Sequence, residues 1–173
     1  RPEWAFFTKE SEHLNKSKND EKECSWIVEP INGFDNFIRG IPLFAISVSV
    51  KKDNKIIASS IFDPNRDEFF FAEKGKGAYL NDRRIRVSNR KGLKNCLISL
   101  ENNFDNFLPK ILYELQNTKA FKIRLLSCSA LSFAWVSCGK LDCFLGNKID
   151  SSISETGNLI LRESGGFFSE FSS

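Results

Sequence analysis

Methionine is absent from all 173 residues, and histidine occurs once, at His13. A single histidine with no repeated ligand spacing argues against a zinc site. It also argues against a nucleophilic triad, because His13 lies in a charged stretch with no partnered Ser or Cys in sight. The five cysteines, Cys24, Cys96, Cys128, Cys138 and Cys143, are odd in number and contain no C-x-x-C pair. They are expected to pack as free thiols in a reducing cytosol. No apolar run is long enough to span a bilayer and no signal-peptide pattern occurs, so a cytoplasmic location without membrane attachment is expected. Neither sign of charge dominates, 25 Lys and Arg against 22 Asp and Glu leaving a net value of +3. That is too little, and too dispersed, to argue for a nucleic-acid partner. The basic run Asn81 to Lys91 has the apolar alternation of an edge strand and reads as a solvated hairpin rather than a polyanion site.

What is present is ordinary globular material, 41% apolar and 27% charged, with 17 phenylalanines. The length allows one domain or two small lobes. Leu43 to Lys51 and Ile56 to Asp63 are β-rich runs joined by the turn signal Asp53-Asn54. Glu68 to Lys74 continues the meander, and Gly75-Lys76-Gly77 breaks it before Ala78-Tyr79-Leu80; this glycine pair reads as a turn. In the second half, Leu97 to Leu100 reads as a strand. Asp105 is then a candidate cap for a helix bearing Phe107, Leu108, Ile111, Leu112 and Leu115. Ile123 to Leu126 is a strand, Ser129 to Cys138 a helix, Cys143 to Leu145 a strand, and a helix ends at Gly165-Gly166. Phe167 to Phe171 is expected to close the sheet. Phe69 to Phe71 and Phe167-Phe168 are expected to serve sheet and core packing. Glu12 to Glu23, rich in Lys, Asn, Ser and Asp, reads as a surface loop. The pattern predicts an antiparallel-sheet lobe over 1–92 and a mixed α/β lobe over 93–173.

The most informative stretch is Trp26-Ile27-Val28-Glu29-Pro30-Ile31-Asn32-Gly33-Phe34-Asp35-Asn36-Phe37. It resembles the W-x-x-D-P-I-D-G-T-x-N-F signature of the inositol monophosphatase family, of the bacterial SuhB-like kind. Trp26, Pro30, Ile31, Gly33, Asn36 and Phe37 match; Glu29, Asn32 and Phe34 stand where the signature has Asp, Asp and Thr. Arg162-Glu163-Ser164-Gly165-Gly166 resembles the family's R-E-A-G-G, and the 1–92 and 93–173 lobes carry one motif each. Gly75, Gly77, Ala78 and Asn81 fit G-x-G-A-x-x-N. Ser127-Cys128-Ser129-Ala130-Leu131 fits G-x-A-A-L. Thr8-Lys9-Glu10-Ser11 resembles the G/T-E-E-S segment.

The resemblance implies a layered αβαβα sandwich, with the family's first helical layer missing ahead of Arg1. It therefore implies one exposed face on the first sheet, and with it either instability or a partner that covers that face. It further implies a Mg²⁺-dependent phosphomonoesterase acting on inositol monophosphate, often as a homodimer. Metal positions fall on Glu10, Glu29, the Ile31 carbonyl, Asn32 and Ser152, the last in place of the family Asp, with Asp150 and Asp35 as candidate substitutes. Substrate positions fall on Gly33, Phe34, Ser127, Cys128 and Gly146, where Gly146 replaces an acid that meets substrate hydroxyls. Phe34 takes the place of the Thr that orients the attacking water.

Magnesium demands octahedral oxygen ligation, which leaves its ligands little freedom to change. Losing two carboxylates from a two-metal site is expected to cost roughly 10²- to 10⁴-fold. The expectation is thus a family member with impaired catalysis. The alternatives are an active Mg²⁺-dependent phosphatase with unusual ligands, and a non-catalytic binding or scaffold protein on the same fold.

Overall fold

A computed structural model of the chain describes residues 4–8, 24–101, 113 and 121–170. Seven strands form the first sheet in sequence order: β1 (Ala5–Thr8), β2 (Cys24–Asn32), β3 (Ala45–Lys52), β4 (Lys55–Asp63), β5 (Glu68–Glu73), β6 (Gly77–Leu80) and β7 (Arg83–Arg84). β1 runs parallel to β2, and every later pair is antiparallel. The Asp53-Asn54 turn forms as expected, with both residues at positive φ (47° and 59°), the geometry that two-residue hairpins require. The second sheet is parallel, with β8 (Cys96–Leu100) between β9 (Phe121–Leu125) and β10 (Cys143–Leu145). A short helix α1 (Phe34–Ile38) follows β2; α2 (Ser129–Ser137) and α3 (Ser151–Glu163) complete the described elements.

Both long helices lie between the sheets. Helix α2 is buried along most of its length, so its sequence is apolar and small rather than amphipathic, and Ser132 and Ser137 return their hydroxyls to the carbonyls of Cys128 and Phe133. Ser132 also meets Ser99 of β8 at 2.8 Å. Helix α3 sits on the face of the first sheet that carries Ser47, Ser49, Ile61, Phe70 and Ala72. There Thr156 bonds Ser49 Oγ at 3.0 Å and receives the Ser59 hydroxyl on its carbonyl. Gly157 fixes the approach of the two helices. A Cβ there would lie 2.3 Å from the Phe133 ring, so only glycine permits the contact. One apolar core, including Ala45, Ile61, Phe70, Leu131, Phe133 and Ile160, therefore joins the first sheet to both helices. The architecture is an α+β sandwich, sheet on helices on sheet.

Alternation along the strands puts Phe6, Ile46 and Phe69 on the face of the first sheet opposite α3, where all three are exposed. Two segments differ from the sequence expectation. Residues 166–170 are not a strand: Phe167 is 85% exposed and Phe168 instead packs its ring 6.2 Å from Phe133. An aromatic pair without a neighbouring strand to share its backbone bonds satisfies packing with one ring and leaves the other in solvent. Of the basic run, only Arg83–Arg84 is a strand, entered by the Asn81-Asp82 turn; residues 85–95 cross irregularly to the second sheet. The helix expected from Asp105 to Leu115 lies outside the described residues apart from Tyr113, and the Glu12–Glu23 loop and Phe171 lie outside them too. Among the described residues no helix is long and apolar enough to cross a membrane.

Candidate active site

The Glu29–Asn32 segment is shaped by a bulge. β2 pairs Glu29 with Ser47 and Asn32 with Ala45, so one extra residue of β2 is accommodated at Pro30-Ile31. Proline suits the position because it has no amide to give to the ladder. In a regular strand, residues three apart face opposite sides. The bulge restores Glu29 and Asn32 to the same face, the one toward the helices. Glu29 is buried there.

Gly33 ends the strand at φ +87° and caps α1. A Cβ on it would stand 2.7 Å from the Leu43 carbonyl oxygen, so both backbone conformation and space require glycine. Asn36 then ties the helix down: its buried Nδ2 donates to the carbonyls of Leu43 and Leu126, each at 2.8 Å. This brings the β9–α2 connection against the turn. In that connection Ser127, where the family signature has glycine, adopts φ +49°.

Asn32 is held from helix α2. Its Oδ1 accepts the Ala130 amide at 2.9 Å and the Cys128 thiol at 3.3 Å. An amide oxygen thus satisfies one of the donors that a helix leaves unpaired in its first turn. Burial pushes the Cys128 thiol up to about 12, so it stays protonated and serves as a donor. One residue back, the Ser129 hydroxyl donates to Glu101 Oε2 at 2.6 Å. Glu101 immediately follows β8, the central parallel strand, at the carboxyl end where such sheets commonly bind ligands.

These elements enclose a cleft of about 520 Å³, large enough for a small phosphomonoester. Of the residues expected from sequence, Asn32, Gly33, Phe34 and Ser127 line it, as do Asp35 and Asp150. Glu29, Ile31, Cys128 and Ser152 are outside its lining, and Gly146 lines a different cavity of about 720 Å³ beside Phe133 and Phe167. Ser152 lies in the first turn of α3, whereas Asp150 is that helix's N-cap and faces the cleft. Glu10 lies outside the described residues. Phe34 is 60% exposed, placing an apolar ring at the mouth. Arg39, Glu101, Ser129 and Lys148, which sequence reasoning did not single out, complete the polar wall. Glu101 was discoverable: it is the acid that ends the apolar run Cys96–Leu100.

The donor set bears on any bound metal. Among the described residues, no three Asp, Glu, His or Cys side chains converge as a metal site. Asn32 is neutral and its oxygen is committed to α2. The described side chains do not fit a pair of divalent cations.

The glycine turn and the C-terminal motif meet away from the cleft. Glu163 accepts the amides of Gly75 at 2.7 Å and Gly77 at 2.8 Å. The expected role of Gly75-x-Gly77 as a turn therefore holds, with its amides occupied by protein.

A family model described as the inositol monophosphatase family matches residues 1–173. The chain is 34% identical over 178 residues to inositol-1-monophosphatase of Mesorhizobium japonicum, covering 98% of this chain and 64% of the relative. It is also 34% identical over 154 residues to Nus factor SuhB of Pseudomonas aeruginosa, covering 84% and 56%. Among solved structures, SuhB from Bartonella henselae superposes with a TM-score of 0.83 at 35% identity, over 96% of this chain and 64% of that one. Thermotoga maritima IMPase superposes with a TM-score of 0.82 at 28% identity, over 95% and 61%. The chain thus spans less than two thirds of the length of these proteins. Sequence, bulged motif and sandwich agree, and the chain belongs to the inositol monophosphatase family.

Proposed function

We propose that this chain binds a phosphomonoester of a polyol, of the inositol monophosphate class, in the cleft beside Gly33 and Phe34, and that it hydrolyses this ligand weakly or not at all. The carrying observation is Asn32: where the family signature has a carboxylate, a neutral amide caps helix α2. Two-metal hydrolysis needs charge on both cations' ligands, one cation to activate water and one to stabilise the leaving oxygen. Asn32 supplies no charge, and Phe34 supplies no hydroxyl to orient water. Phosphate binding asks less, because the Gly33 turn, Arg39 and Lys148 remain in the wall. Of the magnesium positions that the family resemblance assigns, Glu10 and Glu29 keep a carboxylate and Ile31 keeps its backbone carbonyl. A cytoplasmic location and a homodimer belong to the same reading.

A second reading, ordinary Mg²⁺-dependent turnover, is favoured by one observation: Asp35 and Asp150 both line the cleft and could replace the lost charge. The test is the double variant Asn32→Asp/Phe34→Thr, assayed for phosphate release from myo-inositol 1-phosphate with and without magnesium. Impairment at these two positions predicts a gain of roughly 10- to 100-fold over the parent. A parent that already turns over at the variant's rate would favour the second reading.

A further inference from the structure

We propose that Glu101 is the specificity-determining acid of the cleft, accepting a hydrogen bond from a hydroxyl on the alcohol part of the phosphomonoester. The proposal rests on the reading of the cleft as a phosphomonoester site and adds to it the residue that reads the alcohol.

Glu101 follows the central strand of a wholly parallel sheet, and its amide donates to the Leu145 carbonyl at 3.0 Å, which fixes the backbone between β8 and β10. Its side chain is fixed by the Ser129 hydroxyl at 2.6 Å. The next residue on the same turn, Ala130, holds Asn32 at 2.9 Å, and Asn32 adjoins Gly33. A single turn of α2 therefore sets the spacing between the carboxylate and the Gly33 turn, with few free torsions between them. That is the arrangement needed to recognise two ends of one small ligand.

A carboxylate has about four acceptor sites, and among the described residues the only donor paired with the Glu101 side chain is the Ser129 hydroxyl. Glu101 repels phosphate and accepts from hydroxyls, so it selects for the alcohol end of the ligand and against two anionic ends. The position that the family resemblance assigns to a hydroxyl-binding acid, Gly146, carries no side chain and lines the other cavity. Within the described cleft Asp35 and Asp150 are the other carboxylates; Asp35 belongs to the α1 turn beside Gly33, and Asp150 already has an interaction of its own.

A structural alternative makes an opposite prediction. If Glu101 served only to neutralise the first turn of α2, its loss would loosen the whole cleft. The test is calorimetric titration of the intact protein and its Glu101→Gln variant with myo-inositol 1-phosphate and, separately, with inorganic phosphate, alongside melting temperatures. The expected result is that Glu101→Gln weakens myo-inositol 1-phosphate roughly tenfold. Inorganic phosphate should bind the variant as well as before or more tightly, because a negative charge has gone. Unchanged affinity for myo-inositol 1-phosphate overturns the proposal; so does parallel weakening of both ligands with a lower melting temperature. Should Glu101→Gln fail to fold, Glu101→Asp keeps the charge but withdraws it by one methylene, and the same split between the two ligands is expected. A parent that binds both ligands equally refutes the role of Glu101 while leaving the phosphate site standing. A parent that binds neither refutes both.

Discussion

The Asn32 side-chain oxygen accepts the amide of Ala130 at 2.9 Å, across 98 residues of sequence. This bond joins the bulged strand of the first sheet to the helix that carries the second wall of the cleft. Asn32→Ala removes the acceptor and leaves a buried amide unpaired, at a cost of about 1–2 kcal/mol in chemical denaturation. Asn32→Asp retains the acceptor and adds a charge favoured at a helix N-terminus, so stability is expected to stay within about 1 kcal/mol of the parent. Loss of stability in Asp comparable to that in Ala would show that the site is too dry for a carboxylate.

Gly33 is the position where backbone conformation and space both exclude other residues. Gly33→Ala must place a Cβ 2.7 Å from the Leu43 oxygen at φ +87°. The expected loss is about 2–4 kcal/mol, read from a denaturation midpoint, with no change in the slope of the transition. A loss under about 1 kcal/mol would mean that the turn relaxes easily and does not hold the cleft in shape.

Much of this could be read from the chain itself. The hairpin at Asp53-Asn54 is local, fixed by residues that tolerate positive φ, and the strand at Cys143–Leu145 and the helix after it follow from apolar spacing. Phe167-Phe168 has the composition of a strand and is not one. Strand composition alone does not supply a pairing partner, and the two rings separate into one packed and one exposed. The candidate site was legible where the motifs fall on its wall, at Asn32, Gly33, Phe34 and Ser127 and at the substitute acids Asp35 and Asp150. Glu101 and Ser129 meet across 28 residues through tertiary packing, and Gly146 points to another cavity for the same reason. The acid that ends the apolar run Cys96–Leu100 is visible in the sequence, but spacing carries no signal for its contact with Ser129 or for the cavity that Gly146 lines.

Glu163 accepts two amides of the Gly75–Gly77 turn and so links the end of α3 to the edge of the first sheet. Bonds to a charged acceptor are worth more than neutral ones, but this carboxylate is half-exposed and solvent moderates the gain. Glu163→Ala is expected to cost about 1–2 kcal/mol, and Glu163→Gln less, since it keeps an acceptor for one amide. Hydrogen exchange at Gly75 and Gly77 provides the local readout: protection should fall in Glu163→Ala and stay in a surface control such as Lys55→Ala.

Asp142 gives the fold a pH dependence on the acid side. Burial pulls its carboxyl up, but the Leu97 amide, the Ser88 hydroxyl and the Arg90 guanidinium together outweigh this and hold it below its usual value of 3.8. The Leu97 and Arg90 contacts are 2.8 and 2.9 Å. With a folded value below the unfolded one, the stabilisation is present above about pH 4 and is lost as pH falls through the folded value. Asp142→Asn should therefore be less stable than the parent at neutral pH and should flatten the acid limb of a stability–pH curve. Parallel curves for the two proteins would remove Asp142 from that account.

The most direct test of lapsed catalysis is Mg²⁺-dependent phosphate release from myo-inositol 1-phosphate by the intact, folded protein. The predicted result is release at or little above the no-enzyme background. Release well above background that disappears with chelator would contradict it, and would make Asp35 and Asp150 the residues to mutate next.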